Sequence, residues 1–186
     1  MSGHTGCLWL LLLGLAFAGC ERTDLDEVTT KEKTKTQAVI PLGHGRGTQE
    51  FPYTVAEMQE GAKPQSLNGC WVMGYVVGST YLSFDNAMFE VPTPYDTNIL
   101  LADDSLCTDV AKCIAVELNK TEIKKQFSLN RCPEHLRHFI VVCGVWGLYF
   151  KHTGLRQVSQ GYWLPDFDAS TLTPAPTEWE EWNEEF

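Results

Sequence analysis

The fold is most legible in Cys113-Ile-Ala-Val-Glu-Leu-Asn-Lys-Thr-Glu-Ile-Lys-Lys-Gln-Phe-Ser-Leu129, followed after a turn by Phe139-Ile-Val-Val-Cys-Gly-Val-Trp-Gly-Leu-Tyr-Phe150. Ile114, Val116 and Leu118 recur with period two, which is a strand with one face inward. Ile123 and Phe127 then fall one helical turn apart, so residues 120–129 read as a helix. Ile140, Val142, Gly144 and Trp146 resume the period of a strand over residues 139–150. A strand, a helix and a strand therefore follow one another directly.

The same reading extends in both directions. Upstream, residues 70–77 form a strand with Val72, Gly74 and Val76 on one face, and residues 98–103 form a second. Between them, residues 79–96 are rich in Ser, Asp, Asn and Pro and read as a long loop. Downstream, residues 155–163 form the last strand. Before the first strand, residues 53–60 read as a short helix. Thr54 and Glu57 have the spacing of a capping box, and Gly61 follows as a stop. Glycines inside the strands, at 74, 144 and 147, mark bulges or tight bends. The expected fold is mainly β: a five-stranded OB-fold-like Greek-key barrel with a short N-terminal helix and a helix between strands three and four. The domain is expected over residues 48–165. Trp71 and Met73 in the first strand, and Phe139, Val141, Cys143 and Val145 in the fourth, are apolar on the outward face as well. Both faces should then be covered, the outer one by the 53–60 helix, by the C-terminal tail or by a partner.

Six segments carry a resemblance: Tyr53-Thr-Val-Ala-Glu57, Trp71-Val-Met-Gly-Tyr-Val-Val-Gly78, Thr97-Asn-Ile-Leu-Leu-Ala-Asp103, Asp109-Val-Ala-Lys-Cys-Ile-Ala-Val116, Pro133-Glu-His-Leu136 and Gly154-Leu-Arg-Gln-Val158. Together they resemble an OB-fold domain of unknown function in Bacteroidetes-type exported lipoproteins, similar to a domain that accompanies some extracellular nucleases. The resemblance covers about residues 51–163. It implies a fold and an envelope address, and no agreed activity.

The 186 residues carry a formal charge of −10. Residues 1–20 have no charged side chain, and residues 21–47 balance. Residues 48–165 are only mildly acidic. Residues 166–186 hold seven acidic and no basic side chains. A mildly acidic barrel disfavours nucleic acid, whose affinity rests on neutralising phosphates.

Residues 8–17 are an apolar run of signal-peptide length, too short to span a bilayer. The run ends in Phe17-Ala-Gly-Cys20, which resembles a lipobox. Cleavage would then leave residues 1–19 as the signal peptide and Cys20 as the site of lipid attachment. Against the pattern, the first seven residues lack Lys and Arg, and Phe17 stands where Leu is usual. An ordinary secretory peptide or an uncleaved buried segment is the alternative. Glu21-Arg-Thr-Asp-Leu-Asp-Glu27 partly resembles a surface-export signal. The same residues read equally as the start of a solvated tether, so these features imply an outer-membrane lipoprotein held by its N-terminal lipid, with its orientation, inner leaflet or cell surface, left open. Residues 20–47 read as a lipidated flexible tether.

Chemistry-bearing motifs are sparse. There is no Gly-x-Ser-x-Gly and no His-Glu-x-x-His, so no catalytic residue, cofactor or metal site is expected. Cys132-Pro-Glu-His-Leu-Arg-His138 holds a sulfur and two imidazoles, but lacks an evident fourth zinc ligand. Cys107 and Cys113 flank the turn between strands two and three, at a spacing open to a short-loop disulfide. The pairing of Cys70, Cys107, Cys113, Cys132 and Cys143 is otherwise open. OB-folds bind through strands two and three and the loops joining strands one to two and four to five. Those loops hold Tyr81, Phe84, Tyr95, Lys151, His152 and Arg156. Tyr81, Phe84, Lys151 and Arg156 are the candidate ligand contacts, with a glycan or protein as the favoured partner. The tail residues 166–186 place Trp179, Trp182 and Phe186 at i, i+3 and i+7, an apolar stripe on an acidic segment suited to docking. The chain reads as a binding or adaptor module, with a single-strand nucleic-acid binder or an enzyme with a concealed site as rivals.

Overall fold

The computed structural model describes residues 37–176. Cys20, Trp179, Trp182 and Phe186 lie outside the described residues. Among the described residues, no helix is long and apolar enough to cross a membrane.

Six strands and two α-helices follow in the order α1 (Val55–Gln59), β1 (Asn68–Tyr81), β2 (Ser83–Met88), β3 (Asn98–Ala102), β4 (Ile114–Glu117), α2 (Thr121–Phe127), β5 (Phe139–Tyr149) and β6 (His152–Trp163). Five strands close a ring in the order β1-β3-β4-β6-β5, with β5 returning to β1. β4 and β6 run parallel and the other neighbours antiparallel. This is the mixed Greek-key ring of an OB-like barrel.

The inward sets expected from period two all reach the core. Val72, Val76, Ile114, Val116, Leu118, Ile140 and Val142 share one buried cluster, with Trp146 packed against it, and Ile99 and Leu101 of β3 join them. Gly144 sits where the β5–β6 register shifts. A Cβ there would stand 2.6 Å from the Arg156 carbonyl oxygen, so the sharp bend admits no side chain. Helix α2 plugs the barrel with Ile123 and Phe127. Helix α1 starts as its sequence demands: Thr54 accepts from the Glu57 N–H, and Glu57 accepts from the Thr54 N–H. Asp103 crosses from the end of β3 to add a second cap. Its two oxygens accept the Val55 and Ala56 N–H groups at 2.8 Å each.

The stretch 79–96, expected as a loop, contains a strand. β1 continues to Tyr81, the chain turns at Leu82 in a left-handed conformation (φ 60°), and β2 returns along it. The reason is burial. Leu100, Ala102, Cys113 and Ala115 form an apolar outer face of β3 and β4, and Phe84 on β2 covers it.

The ends of the described chain also pack more than their composition suggests. Residues 37–47 have the composition of the tether, yet Pro41, Gly43 and Gly47 are buried. Gly47 has φ 70°, and a Cβ there would lie 2.5 Å from the Tyr53 ring. The Gly/Pro-rich string thus serves close backbone approach rather than freedom. Residues 164–172 cover the outer face of β1 and β5: Leu164, Phe167, Ala169 and Leu172 pack against Met73, Phe139, Val141 and Tyr162. The apolar outward residues thus find cover within the chain. His44 and Pro174 pair as an isolated bridge, fixed by His44 N–H to Thr173 carbonyl at 3.0 Å and Ala175 N–H to His44 carbonyl at 2.7 Å.

Candidate functional site

In an OB barrel the broad ligand face is the outer surface of the second and third ring strands. Here those strands are β3 and β4, and that face is closed by Val77, Phe84 and their neighbours. A surface open to a ligand lies at the barrel end where the β1–β2 and β5–β6 hairpins meet through the Phe84 and His152 rings.

Buried polar groups hold this end. Asn98, the first residue of β3, is 1% exposed. Its side-chain amide accepts from the Thr80 N–H at 2.8 Å and donates to the Thr80 carbonyl at 3.0 Å. An asparagine side chain thus completes the ladder where β1 leaves β3 for the hairpin. The Ser79 and Thr93 hydroxyls pair at 2.7 Å beside it. The Tyr149 phenol also bonds Asn98; burial, then the Glu117 charge, pushes that phenol above its ordinary range.

On this base stand the four candidate contacts, in three different environments. Tyr81 is half-exposed and stacks on Tyr95, ring centroids 4.4 Å apart and planes within 10°. Leu82 beside it is 72% exposed. Lys151 is exposed at the tip of the β5–β6 hairpin. Arg156 is exposed and lies 3.6 Å from the Glu117 carboxylate, so its charge is shared. Phe84 is buried and belongs to the cover of β3 and β4. Its ring stacks on His152 at 4.5 Å, which ties the two hairpins together. Beneath them lies a cavity of about 430 Å³ whose walls include Phe84, Asp85, His152 and Thr153.

The β5–β6 hairpin turns through Phe150 (φ 52°) and Lys151 (φ 70°), between paired Tyr149 and His152. Two left-handed residues in a two-residue loop usually include glycine or asparagine. Two bulky side chains there cost about 1–2 kcal/mol per residue. Lys151→Gly should therefore raise stability by up to about 1 kcal/mol, after the entropy of glycine is subtracted. Thermal melting checks this; a fall in melting temperature would show that Lys151 makes a contact worth more than its strain.

Other constellations are placed as follows. Cys132, Glu134 and His135 bring one donor atom each within 4.8 Å, on a turn over Pro133–His135. His138 lies with its ring near Trp163. Three donors fall short of the usual four for structural zinc. Sequence reading missed a cavity of about 490 Å³ between the tail and the end of β3, lined by His44, Asp103, Asp104 and Asp168 among others. Its carboxylates already have work: Asp103 caps α1 and Asp168 accepts from the Ser170 N–H and hydroxyl. The adjacent Asp103 and Asp104 were the visible signal, but His44 and Asp168 arrive from opposite ends of the domain.

Among curated proteins, none matches the chain. Among solved structures, the hypothetical protein ygiW from E. coli is similar at 10% identity and a TM-score of 0.36, over 66% of this chain and 99% of that one. A family described as a domain of unknown function (DUF6359) matches residues 53–164, which run from the start of α1 to the end of β6. The match spans more than half of the chain and coincides with the barrel, and the chain belongs to the DUF6359 family.

Proposed function

We propose that this protein is a lipid-anchored binding module of the cell envelope, without catalysis of its own, whose barrel end takes a glycan. The single observation that carries the ligand class is the stacked Tyr81–Tyr95 pair, presented with the exposed Leu82 on a hairpin fixed by buried Asn98. A flat aromatic platform offers its outer face to the apolar face of a sugar ring, as it would to a base. Two facts weigh against a nucleic-acid strand. The outer face of β3 and β4 is closed, and Arg156 is shared with Glu117. Anchoring rests on the lipobox-like Phe17-Ala-Gly-Cys20 and on the composition of the residues after it. The outer membrane, with the barrel facing the surface, is the location this reading assigns.

The test is binding of neutral envelope oligosaccharides and of a thymidine oligonucleotide across a salt series. The expected result is salt-insensitive oligosaccharide binding, weakened by Tyr81→Ala by about 1–3 kcal/mol, roughly 5- to 150-fold. Tyr81 is half-exposed, so the variant should melt within about 0.5 kcal/mol of the parent. Steeply salt-dependent binding of the oligonucleotide alone would replace the glycan reading with the nucleic-acid one.

A further inference from the structure

The connection from β3 to β4 carries two thiols at one point. Cys107 and Cys113 each bond the backbone carbonyl oxygen of Asp109, with sulfur–oxygen distances of 3.4 Å and 3.3 Å. The same oxygen accepts the Lys112 N–H at 3.0 Å. Three donors thus crowd one carbonyl, which brings the two sulfurs to the same point of the turn. The turn itself is fixed. The Asp109 carboxylate caps it through the Ala111 N–H at 3.0 Å. The Gln59 amide reaches over from α1 and donates to the Ala111 and Cys113 carbonyls at 2.9 Å each.

The other described cysteines lie elsewhere in the fold. Cys70 belongs to the barrel core. Cys143 pairs across the sheet with Trp71, on the outer face. The pleat puts those two sulfurs on opposite sides of the sheet. Cys132 bonds the Lys125 carbonyl instead.

We propose that Cys107 and Cys113 form a reversible intrachain disulfide that closes the β3–β4 turn. Cys107 is the attacking group. It is partly exposed and lines a cavity of about 430 Å³ with Gln59, Asp103 and Asp104. Cys113 is buried, and burial, followed by its neighbour Cys107, pushes its thiol up to about 12. The oxidant is a small disulfide, R–S–S–R. The Cys107 thiolate attacks one sulfur, the R–S–S–R bond breaks, and the first thiolate departs and is protonated. The Cys113 sulfur, its proton passing to solvent, then attacks the Cys107 sulfur of the mixed disulfide. The second thiolate leaves and takes up a proton. Two protein thiols are oxidised by two electrons and the oxidant is reduced to two R–SH. The Asp109 carbonyl is left with the Lys112 N–H. Because Cys113 also walls the cleft below Phe84 and His152, closure fixes one wall of the barrel-end site. The pair stands independently of the ligand assigned to that site.

The experiment treats the full chain with oxidised glutathione, alkylates the remaining thiols and maps the peptides after cleavage following Lys112, which separates the two cysteines. The expected product is a Cys107–Cys113 linked pair, lighter by two hydrogens and parted by a reductant. Cys113→Ser should instead trap glutathione on Cys107. Cys107→Ser should melt with the parent under reducing conditions and below it after oxidation. Recovery of both cysteines alkylated, of glutathione on Cys107 of the parent, or of either cysteine bound to a third one would overturn the proposal.

Discussion

Replacing Phe127 by alanine should cost about 3–5 kcal/mol, the largest loss expected from a single side chain here. Phe127 is 0% exposed. Its ring meets Trp163 at 5.6 Å. It also reaches so near β6 that a Cβ on Gly161 would lie 3.0 Å from its Cζ atom. The helix that carries it has seven residues, and its N-cap Lys120 supplies no side-chain bond. Such a helix does not hold itself in water. It is ordered by Phe127 and Ile123 in the barrel mouth and by Asp96, which meets Lys124 at 3.3 Å and Arg131 at 3.4 Å. Burial acts to raise the Asp96 carboxyl, but the hydrogen bonds and charges of Lys124 and Arg131 prevail and hold it below its ordinary value. Alanine at 127 removes the plug and leaves a cavity under β6 that backbone shifts cannot fill. Typical domains hold 5–15 kcal/mol in all, so the variant should sit near the edge of folding. Denaturant titration measures the loss. Phe127→Leu, which keeps an apolar side chain there, should lose clearly less. A loss under about 1 kcal/mol for the alanine variant would mean that α2 is decoration rather than a plug.

The ring strands were legible because their inner face obeys period two and their outer face is apolar too. Ile114-Ala-Val-Glu117 shows this in four residues. The helix Thr121–Phe127 was legible from a single i, i+4 pair. β2 was hidden because Ser83-Phe-Asp-Asn-Ala-Met88 has one large buried residue and a loop-like composition. It forms only because β3 and β4 need cover, which is a tertiary demand. That omission moved Phe84 into the ligand set, although Tyr81, three residues away, does face outward. The packing of residues 41–47 was hidden for a different reason. Glycine reads as freedom in a sequence, whereas Gly47 is used for a left-handed turn against Tyr53. The Asn98 bridge to Thr80 could not be read at all, since a buried asparagine at a strand start looks like any other polar flank. The platform itself was half visible. Tyr81 and Tyr95 are loop aromatics in the sequence, and only the hairpin brings their planes together.

Truncation after Pro165 should destabilise the barrel by about 2–4 kcal/mol and make it bind an apolar dye. The removed segment carries Phe167, Ala169 and Leu172, which pack on Met73, Phe139 and Val141. The latter three are at most 2% exposed, and Phe167 meets the Phe139 ring at 5.0 Å. Burying one such large side chain is worth about 1.5–3 kcal/mol. Two of them, partly covered and set against the entropy of ordering the segment, leave the stated net. The bridge to His44 is lost with it, so residues 39–47 lose a neighbour and the effect should reach the N-terminal side of the domain. Two controls separate causes. Truncation after Pro176 removes only the residues that hold Trp179, Trp182 and Phe186, and should leave melting and dye binding unchanged. Phe167→Ala keeps every acidic charge of the tail, so a loss there is packing and not relief of repulsion. If truncation after Pro165 changed neither melting nor dye binding, the outer face of β1 and β5 would have to owe its stability to something other than the segment that covers it. If truncation after Pro176 alone exposed the face, the acidic aromatic end, and not Phe167, would be the cover.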